Sequence, residues 1–224
     1  MLPWESMKGL ENQDIYRMPS VSSILYTYQK CDKSERKAVR DRASYATLDP
    51  SDAYYVINPT LFESTASQDN CTLIDMHRSC LKSVVKEISE ILKTRNWFIY
   101  VRHGDGLQHM PIDELAKHNK YAAAILIGCC SGLMELNGPY TPKGALIDYL
   151  LAGSPIVIGN LWVVAQTWAL EFTKKLLETF EGEMENEAGI VACLDLARKT
   201  SNILMYRSVT ICYGVPNLLR KRIP

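Results

Sequence analysis

Apolar positions along this chain fall into two patterns. Short unbroken runs stand at Ala53-Tyr54-Tyr55-Val56-Ile57, Trp97-Phe98-Ile99-Tyr100-Val101, 122–127, Pro155-Ile156-Val157-Ile158 and Val209-Thr210-Ile211-Cys212-Tyr213. Runs of this length, bounded by Gly, Asn or Pro, predict strands buried on both faces, as in a parallel sheet. Between them apolar groups recur at helical spacing. Leu73, Met76, Cys80, Leu81, Val84, Val85, Ile88, Ile91 and Leu92 make one wide stripe over 72–94. Trp162, Ala165, Trp168, Ala169, Phe172, Leu176 and Phe180 make a second, ended by Gly182. Helices are also predicted from Ser20 as N-cap, from Thr141 and Pro142 to Ala152 with Gly153 as C′, and over 188–204. Strand, helix, strand is a crossover unit, so 53–57 and 97–101 should run parallel. The pattern predicts an α/β fold with a mainly parallel sheet and helices on both faces.

Composition narrows the class. With 47% hydrophobic and 22% charged residues in 224, the chain has the make-up of a globular protein with a sizeable core. Its formal net charge is zero, so nothing argues for a nucleic-acid or anionic-membrane partner, and none is expected. No apolar run reaches transmembrane length, and Met1-Leu2-Pro3-Trp4-Glu5 does not open as a signal peptide. Seven cysteines, mostly inside apolar runs, predict free thiols in a reducing compartment. There is no CxxC pair and no HExxH, so no metal and no cofactor is expected. The basic stretch 30–42 is interleaved with acids and predicts a solvated face, as does the acidic break Glu181 to Glu187. His77 is assigned to packing, and no internal repeat or linker divides 1–224.

The chemistry collects at two strand tips. Residues 97–101 end in Arg102-His103-Gly104-Asp105-Gly106, and 122–127 end in Gly128-Cys129-Cys130-Ser131-Gly132. Open α/β sheets carry their sites at the carboxyl ends of strands. Adjacent strands lie about 4.8 Å apart, so an imidazole and a thiol at two such tips come within reach. A thiolate is a strong nucleophile, and a His beside it can pass a proton. The residues alone leave Cys129 and Cys130 open as nucleophile.

His103-Gly104-Asp105-Gly106 and Gly128-Cys129-Cys130-Ser131-Gly132 resemble the His-Gly and Gly-Cys-Ser-Ser motifs of separase, a caspase-like cysteine protease. The resemblance extends to Leu2-Pro3-Trp4-Glu5-Ser6, Tyr55-Val56-Ile57-Asn58-Pro59, Tyr149-Leu150-Leu151-Ala152-Gly153, Gly159-Asn160-Leu161-Trp162 and Tyr213-Gly214-Val215-Pro216. It implies a caspase-like three-layer α/β/α fold and a protease domain over 1–224. The chain is expected to lack the family's first strand and the helical region before it. The resemblance also assigns roles: Cys129 as nucleophile, His103 as acid and base, and the Gly104 and Cys129 amides as oxyanion donors. It implies cleavage of the kleisin subunit of cohesin after arginine to release sister chromatids, a securin-like inhibitor, and a place in nucleus and cytoplasm.

The chain departs from the family pattern at three places. Arg102 and Asp105 replace small residues beside the His. The segment Val163 to Leu170 carries no acid where the family has several that help hold the substrate's arginine. A desolvated arginine needs a carboxylate, which leaves Asp105, Asp148 and Glu171 as candidate substrate-binding residues. Two other readings compete with an active separase-type enzyme: a catalytically silent separase-like binding module, and another caspase-like peptidase of different specificity.

Overall fold

The computed structural model describes residues 3–10, 13–31, 46–57, 90–102, 104, 122–138, 140–186 and 188–219. Its centre is a five-stranded sheet. The strands are β2 (Ala53–Ile57), β3 (Trp97–Val101), β4 (Ala123–Leu126), β7 (Ile156–Asn160) and β8 (Thr210–Gly214), in that spatial order. The first four pair in parallel and β8 joins β7 antiparallel. Each predicted run became one of these strands. β3, β4, β7 and β8 are buried at every position, as their unbroken apolar sequences require.

Alternation across the pleat splits the core in two. One face, with Ile57, Trp97, Ile99, Val101, Ile125, Ile127 and Ile158, packs beneath α3 (Gln166–Glu183) and α4 (Ile190–Lys199). Trp97 meets Phe180 at 5.2 Å between ring centroids, and Trp168 stacks between Phe172 and Tyr206. Trp168 of the second helical stripe is therefore core. The other face, with Val56, Phe98, Tyr100, Leu126, Val157 and Tyr213, packs beneath α2 (Ala145–Ala152). Helices on both faces of a mainly parallel sheet give the three-layer α/β/α arrangement.

The edge strand β8 is covered. Arg17 bridges Tyr213, taking the Gly214 N–H at 3.0 Å and donating to the Cys212 carbonyl at 2.9 Å. The Arg17 side chain turns inward to a bidentate pair with Glu5, both contacts 2.7 Å. Smaller pieces complete the frame. β1 (Ala46–Leu48) pairs with β9 (Asn217–Leu219), and β5 (Glu135–Asn137) forms a hairpin with β6 (Tyr140–Lys143). A short helix α5 (Leu204–Arg207) follows α4.

Helix ends follow their signals in part. Ser20 caps α1 (Val21–Cys31) through a reciprocal pair, Ser23 N–H to Ser20 Oγ and Ser20 N–H to Ser23 Oγ. Gly153 ends α2 in the left-handed region at φ 105°, as expected of a C′ glycine. The start of α2 differs from the expectation. Thr141 and Pro142 lie in β6, and the helix begins at Ala145 behind Gly144. The hairpin claimed these residues because Tyr140 finds a cross-strand partner in Asn137. Likewise α3 begins at Gln166, not Trp162, because 161–164 wraps the turn after β4. Of the stripe over 72–94, residues 90–94 form a helical end; the rest lies outside the described residues. Among the described residues, no helix is long and apolar enough to cross a membrane.

Candidate active site

The parallel strands β2, β3, β4 and β7 all end at one edge of the sheet, and the Cys129 turn lies at that edge. Register sets the meeting of the two tips. Trp97 pairs with Ala123 and Tyr100 with Leu126, and the Ile127 N–H continues the ladder to the Tyr100 carbonyl at 2.8 Å. Beyond the ladder the tips remain pressed together. A Cβ on Gly128 would overlap the Gly104 carbonyl oxygen and stand 2.8 Å from the Arg102 carbonyl oxygen. Only a residue without a side chain fits there. Arg102 and Gly104 thus both lie against the residue that precedes Cys129. His103 and Asp105 lie outside the described residues.

Cys129 is half-buried and lines an open cleft, together with Val101, Arg102, Ile127, Gly128, Val164, Gln166 and Ala169. Its thiol points at the Val164 carbonyl, 3.7 Å away. Cys130 is also half-buried but lies in the left-handed region at φ 59°, unusual for a residue with a Cβ. Burial, and then the neighbouring Cys129, raise the Cys130 thiol above its ordinary pKa, which disfavours its thiolate. Cys130 is not among the cleft-lining residues described, whereas Cys129 is.

The turn after β4 is fastened from below. Ser131, fully buried, donates to the Leu126 carbonyl and contacts the Gly128 carbonyl at 3.0 Å. The Gly132 N–H reaches the Asn160 carbonyl at 2.8 Å, and the Cys130 N–H reaches the Trp162 carbonyl at 3.3 Å. Among the described residues, no partner is found for the backbone N–H of Gly104 or Cys129.

The remaining candidates are scattered. Asp148 stands half-buried in the first turn of α2, the helix on the sheet face opposite α3. Glu171 is exposed on α3. At 100° per residue it points roughly 140° away from Gln166, which faces the cleft. The cleft face of α3 presents Gln166 and Ala169, and its first turn holds no acid. Neither Asp148 nor Glu171 is among the described residues lining the cleft.

A family model described as "Separin, protease domain" matches residues 1–166. The chain belongs to the separin protease-domain family. Separin of Schizosaccharomyces pombe is 29% identical across 96% of this chain, and separin of Mus musculus 28% across 96%. This chain spans only 12% and 10% of the length of those two separins. The crystal structure of the Saccharomyces cerevisiae separase–securin complex matches 97% of this chain and 15% of that one, with TM-score 0.74 and 23% identity, which shows a shared fold. In this separin-family chain the site also uses residues to which the sequence assigned no part. Ser131, Asn160 and the Val164 carbonyl hold the turn. Asn160 had a signal, since it sits in the Gly159-Asn160-Leu161-Trp162 motif. Nothing in residue type marks a backbone carbonyl such as that of Val164.

Proposed function

We propose that this edge of the sheet is a cysteine endopeptidase site. The observation that carries the reading is the seating of Gly128, next to Cys129, against Arg102 and Gly104, the two neighbours of His103. The pairing of Tyr100 with Leu126 at the ends of β3 and β4 supports bringing the two tips together. In the proposed reaction the Cys129 thiolate attacks the scissile carbonyl and His103 protonates the leaving amine. The tetrahedral oxyanion is held by the N–H groups of Gly104 and Cys129. Water, deprotonated by His103, then opens the thioester and returns the thiolate.

Family membership supports a reading of the substrate class. We infer cleavage of a kleisin subunit of cohesin after arginine, releasing sister chromatids in dividing cells, in nucleus and cytoplasm. A securin-like inhibitor is the proposed partner for the same cleft, since the similar solved structure is that of a separase–securin complex. The test is covalent labelling by a peptidyl-arginine acyloxymethyl ketone, mapped by mass spectrometry. Cys129→Ala should abolish labelling, and Cys130→Ala should leave most of it. Labelling lost only in the second variant would assign the nucleophile to Cys130. No labelling of the unaltered chain would favour a silent binding module.

A further inference from the structure

The motif Gly159-Asn160-Leu161-Trp162 has no role in the reaction as written, yet its asparagine is completely buried directly beneath the nucleophile turn. Both ends of its amide are engaged. Nδ2 donates to the Gly128 carbonyl at 3.3 Å, and Oδ1 accepts from the Thr210 hydroxyl at 2.8 Å. This orientation is forced, because a carbonyl such as that of Gly128 can only accept. Thr210 is itself anchored, for its carbonyl takes the Arg198 guanidinium, Nε at 3.0 Å and Nη2 at 2.5 Å. The backbone of Asn160 is equally committed, its N–H to Ser131 Oγ at 3.0 Å and its carbonyl to the Gly132 N–H. The paired glycines permit this contact. A Cβ on Gly159 would stand 2.8 Å from the Gly132 nitrogen, and one on Gly132 2.8 Å from the Gly159 carbonyl carbon.

The Gly128 carbonyl and the Cys129 N–H belong to one peptide unit, planar and trans. Their dipoles point in opposite directions. A group that pins the carbonyl oxygen downward therefore aims the N–H upward, toward the cleft that Cys129 lines. We propose that Asn160 is a positioning residue that aims the Cys129 N–H at the developing oxyanion, acting through the Gly128 carbonyl. The proposal rests on Cys129 being the nucleophile. It makes a distinctive demand on chemistry: reactions that pass through an oxyanion should depend on Asn160, and reactions that do not should be indifferent to it.

The experiment compares two reagents on the same thiol of the whole chain. The peptidyl-arginine acyloxymethyl ketone develops charge on its carbonyl oxygen. Iodoacetamide alkylates by direct displacement and needs no oxyanion donor. Asn160→Asp keeps the shape but loses the donor to Gly128. Thr210→Val removes only the hydroxyl that fixes the amide, and serves if the first variant does not fold. Thr210→Ser restores that hydroxyl. We expect the ketone to react about ten- to a hundredfold more slowly in Asn160→Asp, and severalfold more slowly in Thr210→Val. Iodoacetamide should stay within about twofold in both, and Thr210→Ser should match the unaltered chain. With peptide substrate the loss should fall on kcat and leave KM unchanged. Equal loss with both reagents, faster iodoacetamide alkylation, or no loss with the ketone overturns the proposal. If the ketone fails to label Cys129 even in the unaltered chain, the protease reading falls first and this one with it.

Discussion

The contact between the two strand tips can be tested by a single methyl group. Gly128→Ala adds a Cβ that overlaps the Gly104 carbonyl oxygen, with the Gly104 carbonyl carbon at 3.0 Å and the Arg102 oxygen at 2.8 Å. Carbon and oxygen normally approach no closer than about 3.3 Å, so the tips must part by well over 1 Å. All the obstructing atoms are backbone, so no rotamer change relieves them. Overpacking of this kind costs about 1–3 kcal/mol. At about 2–4 °C per kcal/mol for a chain of this size, Tm should fall by about 2–12 °C. The effect on chemistry should be larger, because a displacement of about 1 Å at a reacting centre costs about a hundredfold in rate. Differential scanning fluorimetry and the labelling rate of Cys129 by the arginyl ketone measure the two effects. Gly182→Ala is the control. Nothing stands within 4 Å of that Cβ, and the position is near the end of α3. Removing a helical glycine should add about 0.5–1 kcal/mol and leave labelling unchanged. If Gly128→Ala labels at the unaltered rate with unchanged Tm, the tips are not in contact and the proposed dyad loses its support.

Two further outcomes follow from particular side chains. Gln166 lines the cleft, into which the proposed function sets the substrate's arginine. Gln166→Asp should raise kcat/KM for arginine over leucine substrates by about ten- to a hundredfold, one charge-assisted hydrogen bond being worth about 1.5–3 kcal/mol. Glu171→Gln, on the far side of the helix, should not move that ratio, and an unchanged ratio in Gln166→Asp would remove Gln166 from the pocket. Burial, then Glu183 and Asp14, push the Cys193 thiol from 9.0 to about 12. Between those values the native thiol keeps its proton while the unfolded one loses it, so the native state binds more protons and stability falls as pH rises. The contribution is fully present below pH 9.0 and disappears on the way to about 12. Cys193→Ala should flatten the alkaline slope of urea-unfolding stability by up to about 1.4 kcal/mol per pH unit, and an unaltered slope would refute the buried-thiol account.

A buried cation beneath the site bears on how these variants behave. Arg198 is 4% exposed, with its charge opposed by burial and supported by Glu5 and Asp195. It holds Thr210, and Thr210 holds Asn160. Truncating Arg198 would leave an unpaired carbonyl in the core, so effects on the turn would be mixed with loss of stability. The reagent comparison at Thr210 and Asn160 avoids that confusion.

The sequence by itself determined the layers of this protein. Strand runs such as Trp97 to Val101 are apolar at every position, and that is possible only where helices cover both faces of a sheet. The spacing of Trp168, Phe172, Leu176 and Phe180 marked the helical side that met it, and the two glycine-bearing tips marked the edge where the candidate site lies. Tertiary structure decided what depends on partners distant in the chain. β8 runs antiparallel because two successive helices, α3 and α4, bring the chain back to the end at which β7 finishes, Thr210 lying beside Asn160, and no local pattern encodes strand direction. Thr141 and Pro142 entered a hairpin because cross-strand pairing outweighed local helix-start chemistry. Glu171 and Asp148 are acids of the right kind, but rotation around α3 faces one to solvent and layer order sets the other on the opposite face of the sheet from α3. Asn160 and Gly128 show the same limit from the other side. The motif named the asparagine, and only packing showed that its amide meets the carbonyl before Cys129, because hydrogen bonds between residues so far apart are chosen by the fold and not by composition.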